Sequence, residues 1–153
     1  MDIRFYKPTV ADIAKMQDIV KEEVASGKIL LRTEDEMATT IRSYTVVKVN
    51  DKIAGFTATH IHSPRLAEVR SLVVAKEFRG LKLGRQLVEA CIKEAKEYGI
   101  KQLLSLTYEQ GFFESCGFRV ISKEEIPEHK IWADCIRCKH FPICDEIAMV
   151  IDL

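Results

Sequence analysis

The stretch "SLVVAKEFRGLKLGRQLVEACIKEAKEYGI", Ser71 to Ile100, decides how this chain is read. An apolar run, Leu72 to Ala75, leads into Arg79-Gly80-Leu81-Lys82-Leu83-Gly84, and a helical pattern then runs from about Lys82 to Tyr98 before Gly99. A strand therefore empties into a basic, glycine-bearing turn at the start of a helix. Such a start leaves backbone N–H groups unpaired and carries partial positive charge, which suits phosphate. Gly80 and Gly84 let the backbone approach a bulky anion, and Arg79, Lys82 and Arg85 add charge. The same residues also fit a plain strand-to-helix joint with solvated basic side chains, since short patterns of this kind are common. No Gly-Lys-Ser/Thr follows, which removes a Walker-type loop. A dinucleotide fingerprint needs its glycines directly after the strand, and here Lys76 to Arg79 intervene.

Working outward, "DIRFYKP" alternates and stops at Pro8, as a first strand does. Thr9 with Asp12 caps a helix whose apolar residues Ile13, Met16, Val20 and Val24 keep helical spacing up to Gly27. "TEDE", Thr33 to Glu36, is a second capping box, opening a short helix to about Arg42. "YTVVKVNDKIAGFTATHIH" reads as a hairpin turning at Asn50-Asp51, and Leu66 to Val74 as a further strand. After the long helix come a strand "KQLLSLTY", a short helix "GFFESC" ending at Gly117, a strand "FRVISKEEI" and a closing strand "EIAMVIDL". The order β-α-α-β-β-β-α-β-α-β-β predicts one α/β domain over 1–153, with a mixed central sheet and helices on both faces.

The composition fits this. The 153 residues are 47% apolar, enough for one real core. Twenty-three basic and 23 acidic residues cancel, so no global field recruits nucleic acid or anionic membrane, and any anion site has to be local. The apolar runs are too short to span a bilayer, and Met1-Asp2-Ile3-Arg4 shows no signal-peptide core, so a cytoplasmic location is expected. A homodimer is left open.

At this point the chain resembles the GNAT family of N-acetyltransferases. Its signature is a strand, then Arg/Gln-x-x-Gly-x-Gly/Ala, then a long helix. Arg79 and Gly84 match the ends, and Lys82 stands where the middle glycine is expected. "FFESCGF" is similar to the family's "YxxxGF" segment. "ILLRTEDEM", "AEVRSLVVAKEFRG", "LLSLTYEQGFFESCGF" and "IPEHK" further resemble short, free-standing bacterial N-acetylglutamate synthases. One departure is that "LTYEQGFF" lacks the Arg-Ser pair longer synthases carry there.

The resemblance implies the GNAT fold, with splayed parallel middle strands, and acetyl-CoA as co-substrate. Its pantetheine would lie along backbone groups of Leu72, Val73 and Val74, and its pyrophosphate on Arg79, Gly80, Leu81, Lys82, Leu83, Gly84 and Arg85. Phe113 occupies the position where relatives place a tyrosine that protonates the leaving thiolate. Tyr108 is the nearest substitute, against a structural tyrosine at a strand end. Glu68 lies where several relatives place a water-linked general base, and a carboxylate facing a dry cleft suits that task better than a solvated one. The amino-acid acceptor implied is L-glutamate, taken at the entry to arginine biosynthesis. Its carboxylates call for bidentate arginine, which points to Arg32 and Arg70, with Lys130 third. Acetylation of another amino acid or small amine, and a non-catalytic acyl-CoA or amino-acid sensor, are the alternatives.

There are five cysteines, an odd number in a chain without a secretion signal, which argues against a disulfide framework. Three fall in the segment 132–146. Cys135-x2-Cys138 is a zinc half-site by spacing, and Cys144 with His140 or His129 could complete a structural zinc site. Reduced thiols packed with Trp132 and Phe141 are the other reading. Acyl transfer itself needs no metal.

Overall fold

The structure, a computed structural model, describes residues 1–26, 32–126 and 146–153. Strand β1 (Ile3–Tyr6) comes first. The Thr9 capping box forms as expected, with Thr9 accepting from Ala11 N and Asp12 answering from the third position. It opens a single 3-10 turn, Val10–Asp12, before helix α1 (Ile13–Ala25). The second box, Thr33 with Glu36, opens helix α2 (Glu34–Thr39). This helix stops short of Arg42, because the chain tightens into a 3-10 turn at Ile41–Ser43 and enters the sheet at once.

Strands β2 (Tyr44–Val49) and β3 (Lys52–Ile61) form the hairpin. Asn50 and Asp51 supply its turn with φ of 50° and 68°, the pair of positive values a type I′ turn needs. Strand β4 (Leu66–Val74), helix α3 (Leu83–Glu97), strand β5 (Gln102–Thr107) and helix α4 (Gln110–Ser115) follow. Strand β6 covers only Arg119–Ile121, since Ser122 caps a 3-10 turn at Lys123–Glu125 where the sequence suggested more strand. Strand β7 (Ile147–Asp152) closes the chain. Gly99 and Gly117 end their helices with φ of 80° and 97°, a conformation only glycine takes freely.

The seven strands run β1-β2-β3-β4-β5-β7-β6, and β4–β5 is the one parallel pair among the described residues. That pair registers only at Leu66↔Gln102, Ala67↔Leu103 and Glu68↔Leu104. Beyond Glu68 the two strands part. β4 stays with β3 as far as Gly55↔Val74, while β5 stays with β7 as far as Thr107↔Ile147. A gap therefore opens in the middle of the sheet, toward the N-terminus of α3.

A bulge sits at that fork. The register of β3 against β4 slips between Phe56↔Val73 and Ala58↔Arg70, and Ser71 takes φ of 54°. The inserted residue resets the alternation of side chains. Val73 packs with Ile13, Met16, Met37 and Tyr44 on the α1/α2 face, whereas Leu72 and Val74 pack with Leu83 and Leu87 on the α3 face. Helix α3 buries Leu83, Leu87, Val88, Cys91 and Ala95, one stripe at helical spacing. Each fully buried leucine there contributes roughly 2 kcal/mol.

Candidate active site

Two regions carry candidate chemistry, and β4 contributes residues to both. The first is a cleft of about 500 Å³ at the α3 N-terminus, lined by Val74, Phe78, Arg79, Gly80, Lys82, Leu83, Gly84, Arg85, Phe112 and Ser115. Most of the turn picked out from sequence is here. The N-cap residue, Lys82, makes no side-chain cap bond, so the first helical N–H groups are left facing the cleft rather than a capping oxygen. Lys82 has φ of 60°, which gives the physical reason a glycine belongs at this place in the signature. Gly80, at φ 92°, has the same need and meets it. Arg79 donates from Nε to the Val74 carbonyl at 3.3 Å and ties the turn to the end of β4.

Two expected cofactor residues sit elsewhere. Phe113 is buried in the core among Val88, Leu103 and Phe118, and Phe112 is the ring on the cleft. A helix turns its side chains by about 100° per residue, so adjacent phenylalanines cannot share one face. Leu81 turns its side chain toward the cluster of Val47, Leu83 and Leu87, leaving only its backbone for the cleft. In β4, Ala75 N donates to Ala54 O at 2.7 Å, so alternation directs Val73 to β3 and Leu72 and Val74 into the gap. Of the three strand residues expected to present backbone groups, those two do so.

The second region lies on the α1/α2 face. His60 pairs across from Glu68 and Ala58 across from Arg70, which places His60, Glu68 and Arg70 on one face. Glu68 is 4% exposed. Its Oε1 accepts from Arg70 Nε at 3.2 Å and lies 2.9 Å from His62 Nε2, while the His60 and His62 rings stack edge-on at 4.6 Å. Two positions apart on one strand, Glu68 and Arg70 share a face, and the structure joins them. The sequence did not point to the histidines.

Tyr44, buried on the same face, also went unread. Burial pushes its phenol above the usual range, and the charges of Arg32 and Arg70 both pull the other way. The two guanidinium groups chosen from sequence thus act on one side chain. Tyr108 stands one residue beyond β5, 36% exposed, and is not part of the cleft lining. Burial pushes the Cys91 thiol up to about 11, too high for a nucleophile near neutral pH. His129, Lys130, Cys135, Cys138, His140 and Cys144 lie outside the described residues. Among the described residues no cluster of His, Cys, Asp and Glu is arranged for a metal, and no helix is long and apolar enough to cross a membrane.

The pattern of the Acetyltransferase (GNAT) family matches residues 13–118. An uncharacterized N-acetyltransferase of Chlorobaculum tepidum is 36% identical over 141 residues, covering 92% of this chain and 90% of its own. An amino-acid acetyltransferase of Pasteurella multocida is 26% identical over 80% of the chain, which spans only 28% of that longer relative. Among solved structures, an N-acetylglutamate synthase of Neisseria gonorrhoeae, complexed with coenzyme A and N-acetyl-glutamate, superposes with a TM-score of 0.88 at 19% identity, over 100% of this chain and 35% of its own. A Mycobacterium tuberculosis protein in complex with CoA gives 0.82 at 20% identity, over 98% of this chain and 99% of its own. At such identities the likeness establishes the fold. The family pattern runs from α1 through the gap and its cleft to the end of α4, and on that ground the chain belongs to the acetyltransferase (GNAT) family.

Proposed function

We propose that this acetyltransferase acetylates the α-amine of L-glutamate, the step that opens arginine biosynthesis, in the cytoplasm. The observation that carries the reading is the Arg70–Glu68 pair at the last register pair before the strands part, together with the charge of Arg32, which bears with that of Arg70 on Tyr44. Two guanidinium groups suit an acceptor with two carboxylates, and one carboxylate suits the proton its ammonium must lose. The names of the amino-acid acetyltransferase and N-acetylglutamate synthase relatives support the same class.

Acetyl-CoA supplies the activated acyl thioester. Arg79, Lys82, Arg85 and the N–H groups opening α3 hold its pyrophosphate. Leu72 and Val74 offer backbone groups along the gap, and an N–H there polarises the thioester carbonyl. As the C–N bond forms and the C–S bond breaks, Glu68 takes the proton lost by the amine. Phe113 has none to give the departing thiolate, so that proton comes from Tyr108 or from water.

Thiol release from acetyl-CoA across a panel of amino acids tests the proposal. Glutamate should lead, and Arg32→Ala should raise its KM about 10- to 150-fold while leaving the acetyl-CoA KM unchanged, the loss of one charge-assisted contact. Preference for glutamine, or for a polyamine without a carboxylate, would remove the glutamate assignment and keep the enzyme class.

A further inference from the structure

The bulge at the strand fork is held by a residue that has no part in the chemistry described so far. Thr57 is 0% exposed, on β3 opposite the inserted residue. Its hydroxyl donates to the Arg70 carbonyl at 3.0 Å, the last carbonyl before Ser71. On its other side the Cys91 thiol of α3 approaches to 3.9 Å as a weak donor to the same oxygen. One hydroxyl thus links β3, the bulge in β4, and the helix whose N-terminus builds the cleft.

The bulge needs such a partner. Ser71 sits at φ 54°, which a non-glycine residue adopts only where its surroundings impose it. The inserted residue also breaks the regularity of the β3–β4 ladder between Phe56↔Val73 and Ala58↔Arg70, and the Thr57 hydroxyl adds a hydrogen bond to the carbonyl at its edge. Without the insertion, alternation beyond Arg70 would slip by one. Val73 would then present its backbone to the gap, and Leu72 and Val74 would turn theirs toward β3.

We propose that Thr57 is a positioning residue for acetyl transfer, its hydroxyl clasping the Ser71 bulge and thereby setting which backbone groups of β4 face the acyl donor. The inference rests on the donor lying along β4, as proposed above. Glu68 and Arg70 precede the bulge, and their side chains are held by each other and by the pairs Glu68↔Leu104 and Ala58↔Arg70, so the clasp touches the acceptor side only through the Arg70 carbonyl.

Thr57→Val keeps the shape and removes the donor. In the full chain it should weaken acetyl-CoA binding by calorimetry, and lower kcat/KM for acetyl-CoA, each about tenfold, with the acceptor KM changed less than about twofold. Thr57→Ser, which retains the hydroxyl, should stay within about twofold of wild type on every measure. If the valine variant does not fold, Thr57→Ala carries the same comparison against serine. Wild-type acetyl-CoA affinity in the valine variant would overturn the inference, as would a serine variant that loses as much as the valine one. Wild-type protein that fails to bind acetyl-CoA at all would instead overturn the cofactor reading on which it rests.

Discussion

Glu68 has more company than a carboxylate on a strand needs. Arg70 and His62 both reach Oε1, and all three side chains are largely shielded from water. Glu68→Gln retains an oxygen for both donors but cannot take a proton. It should lower kcat about 100-fold or more and remove the lower limb of the pH–rate profile, measured by steady-state kinetics between mildly acidic and mildly alkaline pH. An unchanged profile would pass the role to another group. Glu68 and Arg70 could be grouped from sequence because residues two apart on a strand share a face. Tyr44, His60 and His62 could not. Counting back from the Asn50-Asp51 turn would pair Tyr44 with Thr57, but a bulge in the hairpin moves its partner to Ala58. A second bulge at Ser71 displaces the β3–β4 register again. No residue type announces either one.

At the level of elements, every helix and strand expected from periodicity and capping is present, because each signal is local. Capping boxes, hairpin turn and glycine stops are set by neighbours a few residues apart. The misjudged ends, at Arg42 and after Ile121, are places where a 3-10 turn replaces regular structure. The N-terminus of α3 shows a compromise within one element. Lys82 brings positive charge to the cleft and holds a left-handed backbone that glycine would hold without strain. Lys82→Gly should therefore stabilise the fold by about 1 kcal/mol in denaturant unfolding. The same change should raise the acetyl-CoA Kd a few-fold by removing a charge. A variant no more stable than wild type would mean that the turn already relieves the strain.

Taken as a whole, the molecule is two antiparallel blocks, β1 to β4 and β5 with β7 and β6, joined edge to edge by three residue pairs and underlain by α3 and α4. The join was legible as far as its parallel strands, through the family resemblance. The insertion of β7 between β5 and β6 depends on pairs such as Arg119↔Val150, too far apart in the chain for pattern to show. Val74, at the end of β4, borders the gap between the blocks and also lines the cleft at α3, where Gly84 is a second lining residue. A Cβ at Gly84 would lie 3.5 Å from the Phe112 ring, ordinary contact, so a methyl group fits and anything longer has to grow into the cleft. Titration calorimetry of acetyl-CoA into wild type and Gly84→Glu therefore tests the central claim directly. Wild type should bind, and the folded glutamate variant, with bulk and negative charge at the pyrophosphate position, should show no measurable binding. Equal affinity in the two would place the cofactor elsewhere and contradict the account.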